Sequence, residues 1–184
     1  MRTIALLLAA MLLAGAAPKT KPKPRPKASP AATESAASAK ARAELDARIA
    51  KVRAAVAAQE KSLPATRAEK SLRGCGAKSG TLTAWLDGKR VVKIEARLFR
   101  DDGEMVRLFW FDADGKLLYS KIERPQSAPP EEGAEPATPT EYFFEKGQVF
   151  RWTSGPNAPP PEEVTGTADE LLRGVKSDDT EAEC

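Results

Sequence analysis

Four short phrases between residues 82 and 152 set the limits on what this chain can fold into. They read Leu86-Asp87-Gly88-Lys89, Phe99-Arg100-Asp101-Asp102-Gly103-Glu104, Phe111-Asp112-Ala113-Asp114-Gly115-Lys116 and Phe144-Glu145-Lys146-Gly147-Gln148. Each sets an apolar residue, one or more charged residues and a glycine ahead of a new apolar run. Glycine enters the positive-φ region without a Cβ clash, so such phrases between alternating runs mark antiparallel hairpins. They predict a meander of about six strands. Leu82, Ala84 and Leu86 face one way and Thr81, Thr83 and Trp85 the other. Val92, Ile94, Ala96 and Leu98 alternate with Lys93, Glu95 and Arg97, the pattern of a strand with one buried and one wet face. Met105 to Phe111 is apolar on both faces apart from Arg107, so both faces need cover. Of its two rows, Val106/Leu108/Trp110 and Met105/Phe109/Phe111, the second is the expected seat for a helix.

That helix is expected from Lys40 to Leu63. Leu45, Ile49, Val52, Val56 and Leu63 form a narrow seam on an otherwise alanine-rich and charged segment, and Pro64 ends the pattern. The seam suits packing on the sheet or, in the rival arrangement, dimerisation through residues 45–63. Ala65 to Arg73 reads as a further short helical turn closed by Gly74. Near the other end, Thr167 reads as the N-cap of a short helix over Ala168 to Val175, and the acidic tail Ser177 to Glu183 reads as frayed except where Cys184 ties it down. The expected class is α+β: an N-terminal amphipathic helix packed on an antiparallel meander, with a short C-terminal helix.

The first residues speak about compartment. Arg2, the apolar run from Ile4 to Leu13 and Ala14-Gly15-Ala16 make a charged start, a short apolar core and a small-residue cleavage site. This is the form of a secretory signal peptide, here residues 1–16. Residues 17–39 follow as a basic Pro/Lys/Ala linker expected to lack order; residues 40–73 are the helical segment, and 74–184 the sheet domain with two Pro-rich loops. The expected location is periplasmic or secreted, soluble after cleavage. The formal net charge of +3 conceals a division. Lys19, Lys21, Lys23, Arg25 and Lys27 alternate with proline or threonine, whereas from Gly74 onward acids outnumber bases by 21 to 14. The basic run is either a weak contact to anionic surfaces or a simple tether. The acidic body and the export signal argue against nucleic acid as a partner.

Two cysteines, Cys75 and Cys184, in an exported chain imply a disulfide closing about 110 residues. The chemistry of sites finds little else. Asp112-Ala113-Asp114-Gly115 resembles a calcium loop, but position one of such a loop would be Trp110 and position twelve Lys121, where carboxylates are required. The chain has no histidine, which removes Ser-His and Cys-His pairs and leaves no zinc set. No catalytic residues, cofactor or metal are expected. The aromatics Trp85, Trp110, Tyr119, Tyr142 and Trp152 fall on the sheet, where they either stack on a partner or form core.

Phe111-Asp112-Ala113-Asp114-Gly115-Lys116-Leu117 and Phe144-Glu145-Lys146-Gly147-Gln148-Val149 resemble the hairpin units of MORN-like repeat proteins and of exported bacterial proteins with a similar F-D-x-G-K sheet. The likeness spans Leu82 to Trp152, with irregular glycine spacing and without the Tyr-Glu-Gly core of true MORN units. It implies an antiparallel meander and a protein- or envelope-binding role. The expectation is therefore a non-enzymatic binding module for a protein or envelope polymer; the alternative is a structural protein that oligomerises through its helix.

Overall fold

The computed structural model describes residues 36–101, 103–124, 138–153 and 158–183. The signal segment, the basic run, most of the loop beyond Arg124 and Cys184 lie outside them. Helix α1 spans Ala36–Lys61, and seven strands follow in order: β1 (Arg67–Gly74), β2 (Ala77–Asp87), β3 (Arg90–Arg100), β4 (Gly103–Phe111), β5 (Leu117–Glu123), β6 (Thr140–Glu145) and β7 (Gln148–Trp152). Helix α2 (Pro161–Lys176) and the short strand β8 (Glu181–Glu183) complete the chain order. All eight strands share one sheet, ordered β7-β6-β5-β4-β3-β2-β1-β8. Strands β1 to β7 form the antiparallel meander, and β8 joins the far edge parallel to β1. The class is α+β, as expected.

The turns follow the glycine phrases. Lys146 (φ 54°) and Gly147 (φ 81°) make the two-residue turn between β6 and β7, and both φ values are positive, as a type I′ turn needs. Cys75 (φ 51°) and Gly76 (φ 66°) do the same between β1 and β2. In the loop between β4 and β5, Asp112 Oδ1 accepts the backbone N–H groups of Asp114 and Lys116, each at 2.9 Å. The carboxylate that invited a calcium reading is thus occupied in closing a turn.

The two helices lie on opposite faces. On one, Val164, Ala168, Leu171 and Val175 of α2 join Leu82, Ala84, Ile94, Leu98, Met105 and Phe109 of the sheet in the main core. On the other, Ile49, Val52 and Val56 of α1 cover Trp110, Tyr119, Phe143 and Phe150. Strand β4 is buried on both sides, as its two apolar rows require. The seat of α1 is the opposite of the expected one: Leu108 and Trp110 receive it, while Met105, Phe109 and Phe111 pack under α2. The reason is size. The second helix carries the broader apolar stripe, Val164, Ala168, Leu171 and Val175, and takes the face with the larger buried cluster; the narrow seam of α1 covers the smaller one.

Contacts along α1 define its path. Arg48 Nη2 donates to Glu145 Oε2 at 2.8 Å and Arg53 Nη2 to Glu141 Oε2 at 2.6 Å, while Gln59 Nε2 donates to the Phe111 carbonyl at 2.9 Å and Glu60 meets Lys93 at 2.8 Å. Arg48 also lies over the Phe150 ring of β7, and Glu60 meets Lys93 of β3; from Arg48 to Glu60 a helix advances about 18 Å, and from β7 to β3 there are four strand spacings, about 19 Å. The helix therefore lies across the strands rather than along them. Its side contacts are a narrow apolar stripe flanked by ion pairs.

Four other expectations need correction. The sheet has eight strands rather than six. Residues 67–74 form strand β1, not a helical turn, because alternating Ala68, Lys70 and Leu72 find a partner in β2; the expected boundary at Gly74 falls inside a hairpin. Helix α2 starts at Pro161, so Thr167 sits in its interior, and Pro160-Pro161 with Glu162 and Glu163 in the first turn is the true start signal. The tail is not frayed at 181–183: backbone pairing with β1 and the burial of Ala182 against α2 hold it.

Candidate functional site

One cross-strand row organises the α1 face. Arg67, Trp85, Lys93, Trp110, Tyr119, Phe143 and Arg151 are paired in succession from β1 to β7. Helix α1 lies over the middle and far end of this row, and the five aromatics expected either to stack on a partner or to form core divide accordingly. Trp110 and Tyr119 are buried beneath α1, where Trp110–Tyr119 and Tyr119–Phe143 ring centroids sit 5.1 and 5.3 Å apart. Tyr142 points to the other face, fully buried, and donates to the Pro159 carbonyl at 2.6 Å. These three are core. Trp85 is half-buried, and Trp152, at 42 % exposure on the edge strand β7, is open.

Where α1 ends, its last turn meets a lysine expected on the wet side of β3. Lys93 Nζ pairs with Glu60 at 2.8 Å and lies 4.9 and 5.1 Å from the ring centroids of Trp85 and Trp110. Trp110 Nε1 donates to the same Glu60 oxygen at 2.7 Å. An ammonium between two indoles is a favourable cation–π arrangement, and here the protein supplies its own cation. Beneath the hydroxyl of Tyr119, Glu141 accepts at 2.5 Å; burial and this hydrogen bond push the phenol well above its ordinary range.

Beyond α1 the same face is open over β1, β2 and β3. Three further rows step down from the lysine clamp. Glu69, Thr83 and Glu95 form the first, Ser71, Thr81 and Arg97 the second, and Ser79, Phe99 and Glu104 the third. Arg97 binds Glu95 through Nε at 2.6 Å and Glu104 through Nη1 at 2.9 Å, and the Glu95 hydrogen bond raises its pKa further. A trough of about 480 Å³ runs along Glu69, Ser71, Thr81, Thr83 and Arg97. Phe99, 45 % exposed, stands at its lower end and Trp85 at its upper. Phe99 and the hydroxyl row were missed by sequence reasoning, although Ser79, Thr81 and Thr83 recur with the period of a strand and so marked one face.

The opposite face carries one buried cation. Arg107 donates to Thr167 Oγ1 at 3.1 Å and lies 3.6 Å from Glu163, but its Nε has no partner; burial lowers its pKa. Among the described residues no three His, Cys, Asp or Glu side chains gather as a metal site, and no helix is long and apolar enough to cross a membrane. No protein-family model, curated protein or solved structure matches the chain.

Proposed function

We propose that this is a non-enzymatic exported binding module, and that its ligand is an envelope polymer of polyhydroxylated, glycan type bound on the open face of β1–β3. The supporting observation is the composition of that face. Two aromatic rings, Trp85 and Phe99, stand at either end of a strip of hydroxyls and ion-paired charges. Aromatic faces stack on the C–H faces of sugars, while Ser and Thr hydroxyls, carboxylates and a guanidinium exchange hydrogen bonds with sugar hydroxyls. A protein partner would want a larger apolar centre than Phe99 alone supplies. The basic run at Lys19–Lys27, outside the described residues, would then hold the module near anionic envelope material. Helix-mediated oligomerisation is the weaker reading, since Ile49, Val52 and Val56 of its seam pack against the sheet.

The test is co-sedimentation of the mature protein with insoluble chitin, cellulose and peptidoglycan, alongside Phe99→Ala and Thr81→Arg. Both substitutions lie on the exposed face and spare the core. Losing one stacked ring and blocking the trough should each weaken binding about tenfold. Retention of both variants at the wild-type level, or of the wild type by none of the polymers, would end this reading.

A further inference from the structure

At the other end of the same sheet face, independent of the open strip, α1 and the β6–β7 turn enclose a small groove of about 160 Å³. Its floor is Val52, Leu118, Phe144 and Phe150. Leu118 reaches it because a register shift between β4 and β5 leaves it outside the direct pairing of Phe111 with Leu117 and of Trp110 with Tyr119. The rim carries Arg48, Lys51 and Lys146 against a single acid, Glu145. Arg48 is committed: it pairs with Glu145 at 2.8 Å and stacks 4.1 Å from the Phe150 ring centroid. Lys51 and Lys146 make no ion pair within the described residues. The rim therefore holds two uncompensated cations over an apolar floor.

Lys146 also stands in an unusual backbone state. It occupies the first central position of the type I′ turn with φ 54°, where glycine, asparagine or aspartate is the ordinary choice. A lysine there costs conformational energy that glycine would avoid, and it projects a cation beside the groove.

We infer that this groove binds a small apolar carboxylate, a single aromatic ring or short acyl chain bearing one negative charge. The volume sets the apolar part, since an apolar cavity of ~150 Å³ is enough to hold a benzene ring. The rim sets the head group: Lys51 and Lys146 offer point charges to a carboxylate, and Glu145, paired with Arg48, repels it little.

Benzoate is the direct probe, titrated into the mature protein by NMR with benzyl alcohol as the uncharged counterpart. Benzoate should shift the signals of Ala55, Leu118 and Phe150 saturably, with a dissociation constant of about 1 mM for so small a ligand. Benzyl alcohol should bind several-fold more weakly. Lys146→Gly removes a rim charge and relieves the left-handed backbone, so the fold gains if anything; benzoate affinity should fall about two- to fivefold, the worth of one exposed charge pair. Ala55→Leu, which fills the groove from α1, should abolish binding, and Thr81→Arg on the open face should leave it unchanged. Saturation not reached by tens of millimolar, equal binding of benzyl alcohol, or wild-type affinity in Lys146→Gly would overturn the inference.

Discussion

Tyr119 shows how a single residue ties stability to pH. Its hydroxyl is enclosed by α1, donates to Glu141 and has a pKa raised first by burial and then by that bond. An unfolded tyrosine ionises near pH 10. Above that pH the unfolded chain gives up a proton that the folded chain keeps, so stability is full below pH 10 and falls as pH rises past it. Tyr142, also raised by burial, acts in the same direction. Tyr119→Phe should therefore flatten the loss of stability between pH 9 and 11. Urea denaturation of both proteins across that range checks it; parallel slopes would show that the phenol is not the group responsible. None of this was legible from sequence, where Tyr119 read as core or as a partner-binding ring with nothing to say what its hydroxyl would meet. Alternation says that a side chain leaves the sheet on a given face, but not whether a helix as far back in the chain as Ile49 to Val56 will cover that face.

At the scale of elements, α2 offers a contrast between two glycines on one helix. A Cβ at Gly166 meets nothing within 4 Å, whereas a Cβ at Gly174 would lie 2.7 Å from the Ala182 Cβ of β8. Helix propensity alone favours alanine at both by about 1 kcal/mol. Gly166→Ala should thus stabilise by about 0.5–1 kcal/mol, while Gly174→Ala should destabilise, and Ala182→Gly should rescue it. Thermal melts of the three variants decide the matter; stabilisation by Gly174→Ala alone would mean that β8 does not pack where it is drawn. The strands β2 to β7 were legible because turn glycines and period-two alternation are local signals. Strand β1 was not, since Arg67 to Gly74 has a single buried apolar residue, Leu72, and its strand state comes from pairing with β2 on one side and β8 on the other. Likewise α1 announced its seam but not its seat, because which of two apolar rows receives a helix depends on the competitor for the other row.

For the molecule as a whole, the decisive closure is at the β1 edge. Ser71, Leu72 and Arg73 pair in parallel with Glu181, Ala182 and Glu183, Arg73 adds a 2.8 Å ion pair to Glu181, and Lys70 Nζ donates to the Gly174 and Ser177 carbonyls at the end of α2. The last paired residues, Arg73 and Glu183, stand two residues before Cys75 and one before Cys184 in sequence. We therefore expect a Cys75–Cys184 disulfide to fasten β8, and non-reducing peptide mapping of protein isolated without reductant should recover the linked pair. Closing so long a loop is worth up to about 4–5 kcal/mol, so reductant should lower the melting temperature. Two free thiols in that preparation would refute the bond.

The parallel pairing of β1 with β8 also has a consequence for how the molecule comes into being. Partners 110 positions apart, as Ser71 and Glu181 are, cannot meet until almost all the described chain is available. Strands β2 to β7 need only their neighbours and can zip hairpin by hairpin, but the outer edge of β1 stays unpaired throughout that time. An open strand edge is a template for other chains. A chain that becomes available in sequence order would carry that exposed edge until residues 181–183 arrive, making the interval before β8 docks the period in which aggregation competes with folding.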